Sequence, residues 1–102
     1  MNSLATGDLR TRSSRRGPLK VSHRPASDSS RTIFAVPKSV GTAVTRNRAR
    51  RRVRAALQEL QRDGVLVLGE GEYRVSVLSP LTTLSALELR ATLHGLFEEL
   101  RR

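Results

Sequence analysis

"PKSVGTAVTRNRARRRVR", residues 37–54, carries the switch from strand to helix that organises the chain. Pro37 cannot donate to a β-ladder, so it belongs at a strand end or on an edge. Gly41 breaks the extended run, and the Thr42 hydroxyl can cap a helix that begins behind it. From about Ala43 to Arg62 there is no Gly or Pro, and Ala, Leu, Arg and Gln dominate, so the composition predicts a helix. Asp63–Gly64 ends it. At about 100° per residue, Ala49, Val53, Ala56, Leu57 and Leu60 share one face. Arg46, Asn47, Arg50, Arg51 and Arg54 lie on an adjoining face, with Arg48 and Arg52 behind. The apolar stripe must meet a core, which fixes the rotation and turns the cations outward.

Upstream, "PLKVSHRP" (18–25) places Leu19, Val21 and His23 on one side and reads as a strand. "ASDSS" (26–30) is turn chemistry. "RTIFAVPKSV" (31–40) reads as a second strand. Residues 1–17 are Ser/Arg/Gly-rich without period, and are expected to form a flexible basic arm ahead of a domain over 18–102. Downstream, "VLVLGEGE" (65–72) is ambiguous, and "YRVSVLS" (73–79) alternates as a strand closed by Pro80. Ser85 and Glu88 have capping-box spacing, and Leu84 with Leu89 can staple the entry of a final helix. Leu89, Leu93, Leu96/Phe97 and Leu100 then recur at helical intervals. The order arm, strand, strand, helix, strand, helix predicts an α+β fold. In it a small mixed sheet of split βαβ type is covered by helices on one face.

The chain's 102 residues suffice for one small domain. Its hydrophobic fraction is 37%, with three large aromatics, so the core must be aliphatic. There is no cysteine, which excludes a disulfide framework and thiolate zinc sites and suits a reducing cytoplasm. No apolar run approaches the ~20 residues of a membrane span, and the N-terminus lacks a signal-peptide core.

The net charge of +10 is uneven: Met1–Arg62 holds 15 Lys+Arg against 3 Asp+Glu, and the remainder 4 against 6. Such asymmetry points to a polyanionic partner, nucleic acid or an anionic membrane surface. Six arginines fall between Arg46 and Arg54, and no acid lies between Asp28 and Glu59. Repulsion at i,i+4 is therefore not relieved within the helix, and a nucleic acid would relieve it. A membrane-surface helix needs bulky apolar residues opposite the charge, and this stripe is small.

Other candidate chemistries are thin. His23 and His94 are too isolated for a metal site. No serine has a His/Asp partner in view, and the scattered Asp residues make no two-carboxylate nuclease centre, so no catalytic residue is assigned. "LGEGEY" is read as a turn, because its acids oppose phosphate.

The stretch from Lys38 to Arg54 resembles the protein component of bacterial ribonuclease P. That family carries a Lys-x-Val/Ile-Gly-x-Ala-Val-x-Arg-Asn-Arg-x-(Lys/Arg)-Arg-x-x-Arg run. Here it is matched without gaps by Lys38, Val40, Gly41, Ala43, Val44, Arg46, Asn47, Arg48, Arg50, Arg51 and Arg54. The likeness extends from about Pro18 to Leu100. It implies a four-stranded sheet with a left-handed βαβ crossover. It also implies that the protein is a cytoplasmic subunit, monomeric on its own, of an endoribonuclease whose RNA removes the 5′ leader of precursor tRNA with bound Mg²⁺. The RNA-binding residues carried over are Lys38, Arg46, Asn47, Arg48, Arg50, Arg51 and Arg54. Candidate leader-cleft residues are Phe34, Lys20 and His23, with Phe34 equally readable as core.

The family's aromatic N-terminal helix has no counterpart pattern in residues 1–17, which hold no Phe, Tyr or Trp. Leader contact is then expected to be mostly electrostatic, or the N-terminus to have diverged or been cut. The alternative function is a ribosomal or RNA-chaperone protein on a related fold, without catalytic assembly.

Overall fold

The computed structural model describes residues 11–26 and 30–101. Four strands, β1 (Arg12–Arg16), β2 (Leu19–Arg24), β3 (Ser30–Ala35) and β4 (Gly71–Val77), form one sheet in the order β1-β2-β4-β3. The β1/β2 and β2/β4 pairs are antiparallel and β3/β4 is parallel. Helix α1 (Ala43–Arg62) connects the parallel pair, and α2 (Ala86–Leu100) closes the chain. The α+β class is as the sequence predicts. The βαβ crossover, however, joins adjacent strands, so no strand splits it.

Strand β1 lies inside the segment expected to be a flexible arm, and corrects that reading for residues 12–16. It has no apolar alternation because polar contacts hold it. The Ser14 hydroxyl donates to the Leu96 carbonyl at 3.0 Å, and the Arg16 Nε donates to Glu99 at 2.9 Å. Gly17, at φ 53°, and Pro18 make the two-residue link to β2. Glycine at the first loop position suits the primed hairpin turns. The rest of the expected arm, residues 1–10, lies outside the described residues.

The register places Leu19, Val21, Tyr73, Val75 and Val77 on one face of the sheet, all buried. Both helices cover that face. Helix α1 buries Ala49, Val53, Ala56, Leu57 and Leu60, the stripe predicted from the sequence. Helix α2 buries Leu89, Leu93, Leu96, Phe97 and Leu100. A fully buried Leu or Val is worth about 1.5–3 kcal/mol, so this aliphatic layer supplies the main cohesion. Both helix starts are capped as expected. Thr42 Oγ1 accepts from the Thr45 amide at 3.2 Å, and Ser85 with Glu88 forms the full capping box.

Strand β3, predicted over 31–40, ends at Ala35, and Lys38–Val40 is a 3-10 turn in place of the predicted strand tail. Gly41 has φ 153°, and a Cβ there would stand 3.1 Å from the Thr45 methyl, so the entry into α1 requires glycine. Of the ambiguous 65–72 stretch, residues 65–70 contain no strand and 71–72 begin β4, and Leu66 is buried in the core.

Candidate nucleic-acid interface

With the α1 stripe seated on the sheet, Asn47, Arg48, Arg51 and Arg54 are exposed, and Arg46 and Arg50 are half-buried. Lys38 is exposed on the turn just before the helix. None of these cations forms an ion pair among the described residues; the pairs present involve Arg16, Arg24, Arg62, Arg90, His94 and Arg101. The contacts that do exist hold the side chains in place without neutralising them. Arg46 Nε donates to the Gly41 carbonyl at 3.3 Å, and Arg50 Nη1 donates to Asn47 Oδ1 at 2.8 Å. The first turn of α1 carries no acid, so the positive end of the helix dipole adds to the arginine field.

Arg52 behaves differently from its neighbours. Its guanidinium donates to the Leu81 carbonyl at 3.0 Å and to the Leu84 carbonyl at 2.7 Å. It clamps the segment after β4 against α1, which matches its place behind the cationic face in the helical projection. Arg54 is also partly engaged, lying over the Phe34 ring at 5.2 Å from its centroid.

The three residues assigned to a leader cleft are not brought together. Phe34 pairs with Val75 and so faces the helices, where it is half-buried against the core beneath Arg54. Lys20 pairs with Ser76 and lies on the opposite, uncovered face of the sheet. It therefore cannot line a cleft with the other two: neighbouring residues of a strand point to opposite faces, and Lys20 sits between Leu19 and Val21.

His23 is on the helix side. It stacks on Tyr73 with ring centroids 4.4 Å apart, and its Nε2 lies 2.9 Å from the Glu70 carbonyl oxygen. Gly71 makes this possible, since a Cβ there would collide with the His23 ring.

His23 and Tyr73 line an open pocket of about 320 Å³ with Phe97, Arg12 and Arg101. Tyr73 and Phe97 rings are 5.8 Å apart, so the pocket floor is aromatic and its rim is cationic. Sequence reasoning assigned Phe97 to the core and Tyr73 to strand alternation, and both are buried. What it missed is that their edges bound an opening. Only the pairing of β1, whose Arg12 sits opposite His23, assembles that site.

Among the described residues, no group of three or more His, Asp or Glu side chains could hold a metal ion. Among the described residues, no helix is long and apolar enough to cross a membrane.

Solved structures share this architecture. The RNase P protein from Thermotoga maritima superposes with a TM-score of 0.68 at 20% identity, covering 98% of this chain and 90% of that one. The Staphylococcus aureus RNase P protein gives 0.68 at 17% identity, covering 94% and 86%. A mutant of the S. aureus protein with defective mRNA degradation activity gives 0.75 at 16%, covering 96% and 81%. At such identities the likeness is one of fold. No curated protein matches the chain. The protein family described as ribonuclease P does match, over residues 9–101, and the match takes in both the sheet and the arginine helix. The chain belongs to the ribonuclease P protein family.

Proposed function

We propose that this ribonuclease P subunit grips its catalytic RNA with the outer face of α1, using Lys38, Arg46, Asn47, Arg48, Arg50, Arg51 and Arg54. The observation that carries the reading is the run of cations with no acid partner among the described residues, held by a buried stripe in one orientation. Guanidinium groups present planar donor pairs that match phosphate oxygens. The free amides at the start of α1 favour an anion at the same end.

Precursor tRNA is the proposed second partner. Its single-stranded 5′ leader fits the pocket at His23, Tyr73 and Phe97, where aromatic edges can meet a base and Arg12 and Arg101 can meet phosphates. Phe34, half-buried under Arg54, is a weaker candidate for this contact.

The hydrolytic chemistry belongs to the RNA. Mg²⁺ would be held mainly by the RNA and the substrate phosphates, whose oxygens are the hard donors it prefers. The protein works as a monomer before it joins the RNA, and in the cytoplasm, which suits a chain without cysteine.

The test is Arg46→Ala with Arg50→Ala. Each lost phosphate contact lowers the slope of log K against log salt by about 0.9 in duplex contacts, so the double variant should flatten it by about 2. Precursor cleavage should fall at low Mg²⁺ and survive at high Mg²⁺. Asn47→Ala should weaken binding with little change in slope, because an amide carries no charge. Wild-type affinity of the double variant across a salt titration would reduce the helix face to a solvated surface.

A further inference from the structure

The face of the sheet that no helix covers carries its own cationic array. The register aligns three rows of side chains there. Arg15, Lys20, Ser76 and Ala35 make one row, and Ser13, Ser22, Arg74 and Ile33 make the next. Arg24, Glu72 and Arg31 make the third. Arg15, Lys20, Arg24, Arg31 and Arg74 are all exposed. Glu72 is the one acid in these rows, and it is paired with Arg24 at 3.2 Å. Arg15, Lys20, Arg31 and Arg74 form no ion pair among the described residues.

Two features of this face call for an anion. Arg15 stands directly across from Lys20, and like charges facing each other on neighbouring strands are destabilising. No acid in that row or the next offsets them. The five cations are also held on a rigid lattice, with strands about 4.8 Å apart and rows about 6.8 Å apart. Three serines, Ser13, Ser22 and Ser76, lie among them as hydroxyl donors.

No aromatic ring stands in these rows, so the face cannot stack unpaired bases as single-strand platforms do. Its chemistry suits the outside of a base-paired helix, where phosphates and 2′-hydroxyls are presented and bases are hidden. We infer that the uncovered sheet face is a second RNA-binding surface, which takes the backbone of a double-helical RNA segment without reading its sequence. Because α1 lies on the other side of the sheet, one straight duplex cannot touch both surfaces. The protein then holds two RNA segments at once, one on each side.

The inference goes beyond the arginine-helix reading and fails separately from it. The probe is a short RNA duplex of arbitrary sequence, titrated against the full chain at several salt concentrations. Wild type should bind two duplexes. Lys20→Ser with Arg74→Ser should bind one and show a slope lower by about 2. Arg46→Ala with Arg50→Ala should also bind one, and the quadruple variant none. Lys20→Arg with Arg74→Lys keeps charge and shape, and should retain both sites. That variant separates loss of charge from loss of fold, as does an unchanged thermal unfolding curve for the serine variant.

Unchanged stoichiometry and slope in the serine variant would overturn the proposal. So would equal binding of single-stranded oligouridine at this face. A serine variant that loses only its attachment to phosphatidylserine vesicles would also overturn it, in favour of a membrane surface.

Discussion

Helices α1 and α2 lie on the same face of the same sheet, start with the same kind of hydroxyl cap and bury stripes of equal number, yet treat charge in opposite ways. On α2 every acid is engaged. Glu88 closes the capping box, Glu98 faces His94 and Arg101, and Glu99 takes Arg16 from β1. Arg90 reaches Glu59 and Asp63 across the helix–helix seam. The cations of α1 from Arg46 to Arg54 meet no acid among the described residues. Local pairing makes α2 a structural element, and its absence leaves α1 with an unspent field. The stripes differ to match. That of α1 is partly Ala and Val and lets the helix sit close, whereas α2 contributes three of the bulkiest fully enclosed leucines, Leu89, Leu93 and Leu96.

The strongest way to break the comparison is through those stripes. Leu93 is wholly buried at the centre of α2, and Leu93→Ala should cost about 2–5 kcal/mol in urea unfolding. Val53, equally buried at the centre of α1, loses fewer atoms on truncation, so Val53→Ala should cost less. A larger loss at Val53 would mean that α1, charge and all, is the principal anchor of the fold.

Arg52 sharpens the contrast inside α1 itself. It holds the Leu81 and Leu84 carbonyls, so Arg52→Ala should cost about 1–3 kcal/mol by thermal or urea unfolding. Arg51, one residue away and exposed, should change stability by no more than about 0.5 kcal/mol when truncated. RNA affinity should respond in the reverse order. Equal stability losses at the two positions would show that the arginines act as one undivided cluster.

These neighbours also show where the sequence was legible. The helical projection alone separated the buried stripe from the cations and put Arg52 behind them, because a 3.6-residue period leaves one rotation that buries Val53 and Leu57. The capping box and the Gly41 entry were readable for the same reason: they are local chemistry at fixed spacing.

What sequence reasoning missed depends on register. β1 has no apolar alternation, being tied down by Ser14 and Arg16 to α2, more than eighty residues away in the chain. The aromatic pocket and the sheet-face array need the strand order β1-β2-β4-β3 before their members become neighbours. Strand alternation alone already separates Lys20 from His23, but only the pairing of β3 with β4 shows that Phe34 lies on the His23 side.

A charge reversal tests whether stability and binding oppose each other in α1. Glutamate at position 50 would stand four residues from both Arg46 and Arg54. Arg50→Glu should therefore raise helix stability by about 1 kcal/mol, through two i,i+4 attractions in place of two repulsions. The same change should weaken RNA binding more than Arg50→Ala does, since it sets a negative charge against phosphate. A variant that lost both stability and affinity would show the Arg50–Asn47 hydrogen bond to be a structural tie.

The smallest expected effect lies at the start of α2 and depends on pH. Hydrogen bonds from the Ser85 backbone amide, and then from its hydroxyl, hold the Glu88 carboxylate below the usual range. A group whose folded pKa is lowered favours the native state while it is ionised in both states. Its contribution is complete above the ordinary glutamate value of about 4.3 and is lost as pH falls through the lower folded value. Stability measured by denaturant at falling pH should therefore decline through this acid window. Glu88→Gln keeps a carbonyl oxygen for the Ser85 amide and removes the titration, so its curve should be flatter there. The first turn of α1 contains no acid and offers no equivalent site, so Thr42→Ala should lower stability evenly across the same window. A Glu88→Gln curve parallel to wild type would mean that the capping box holds equally well without charge, and that the two helix starts differ only in which side chains happen to close them.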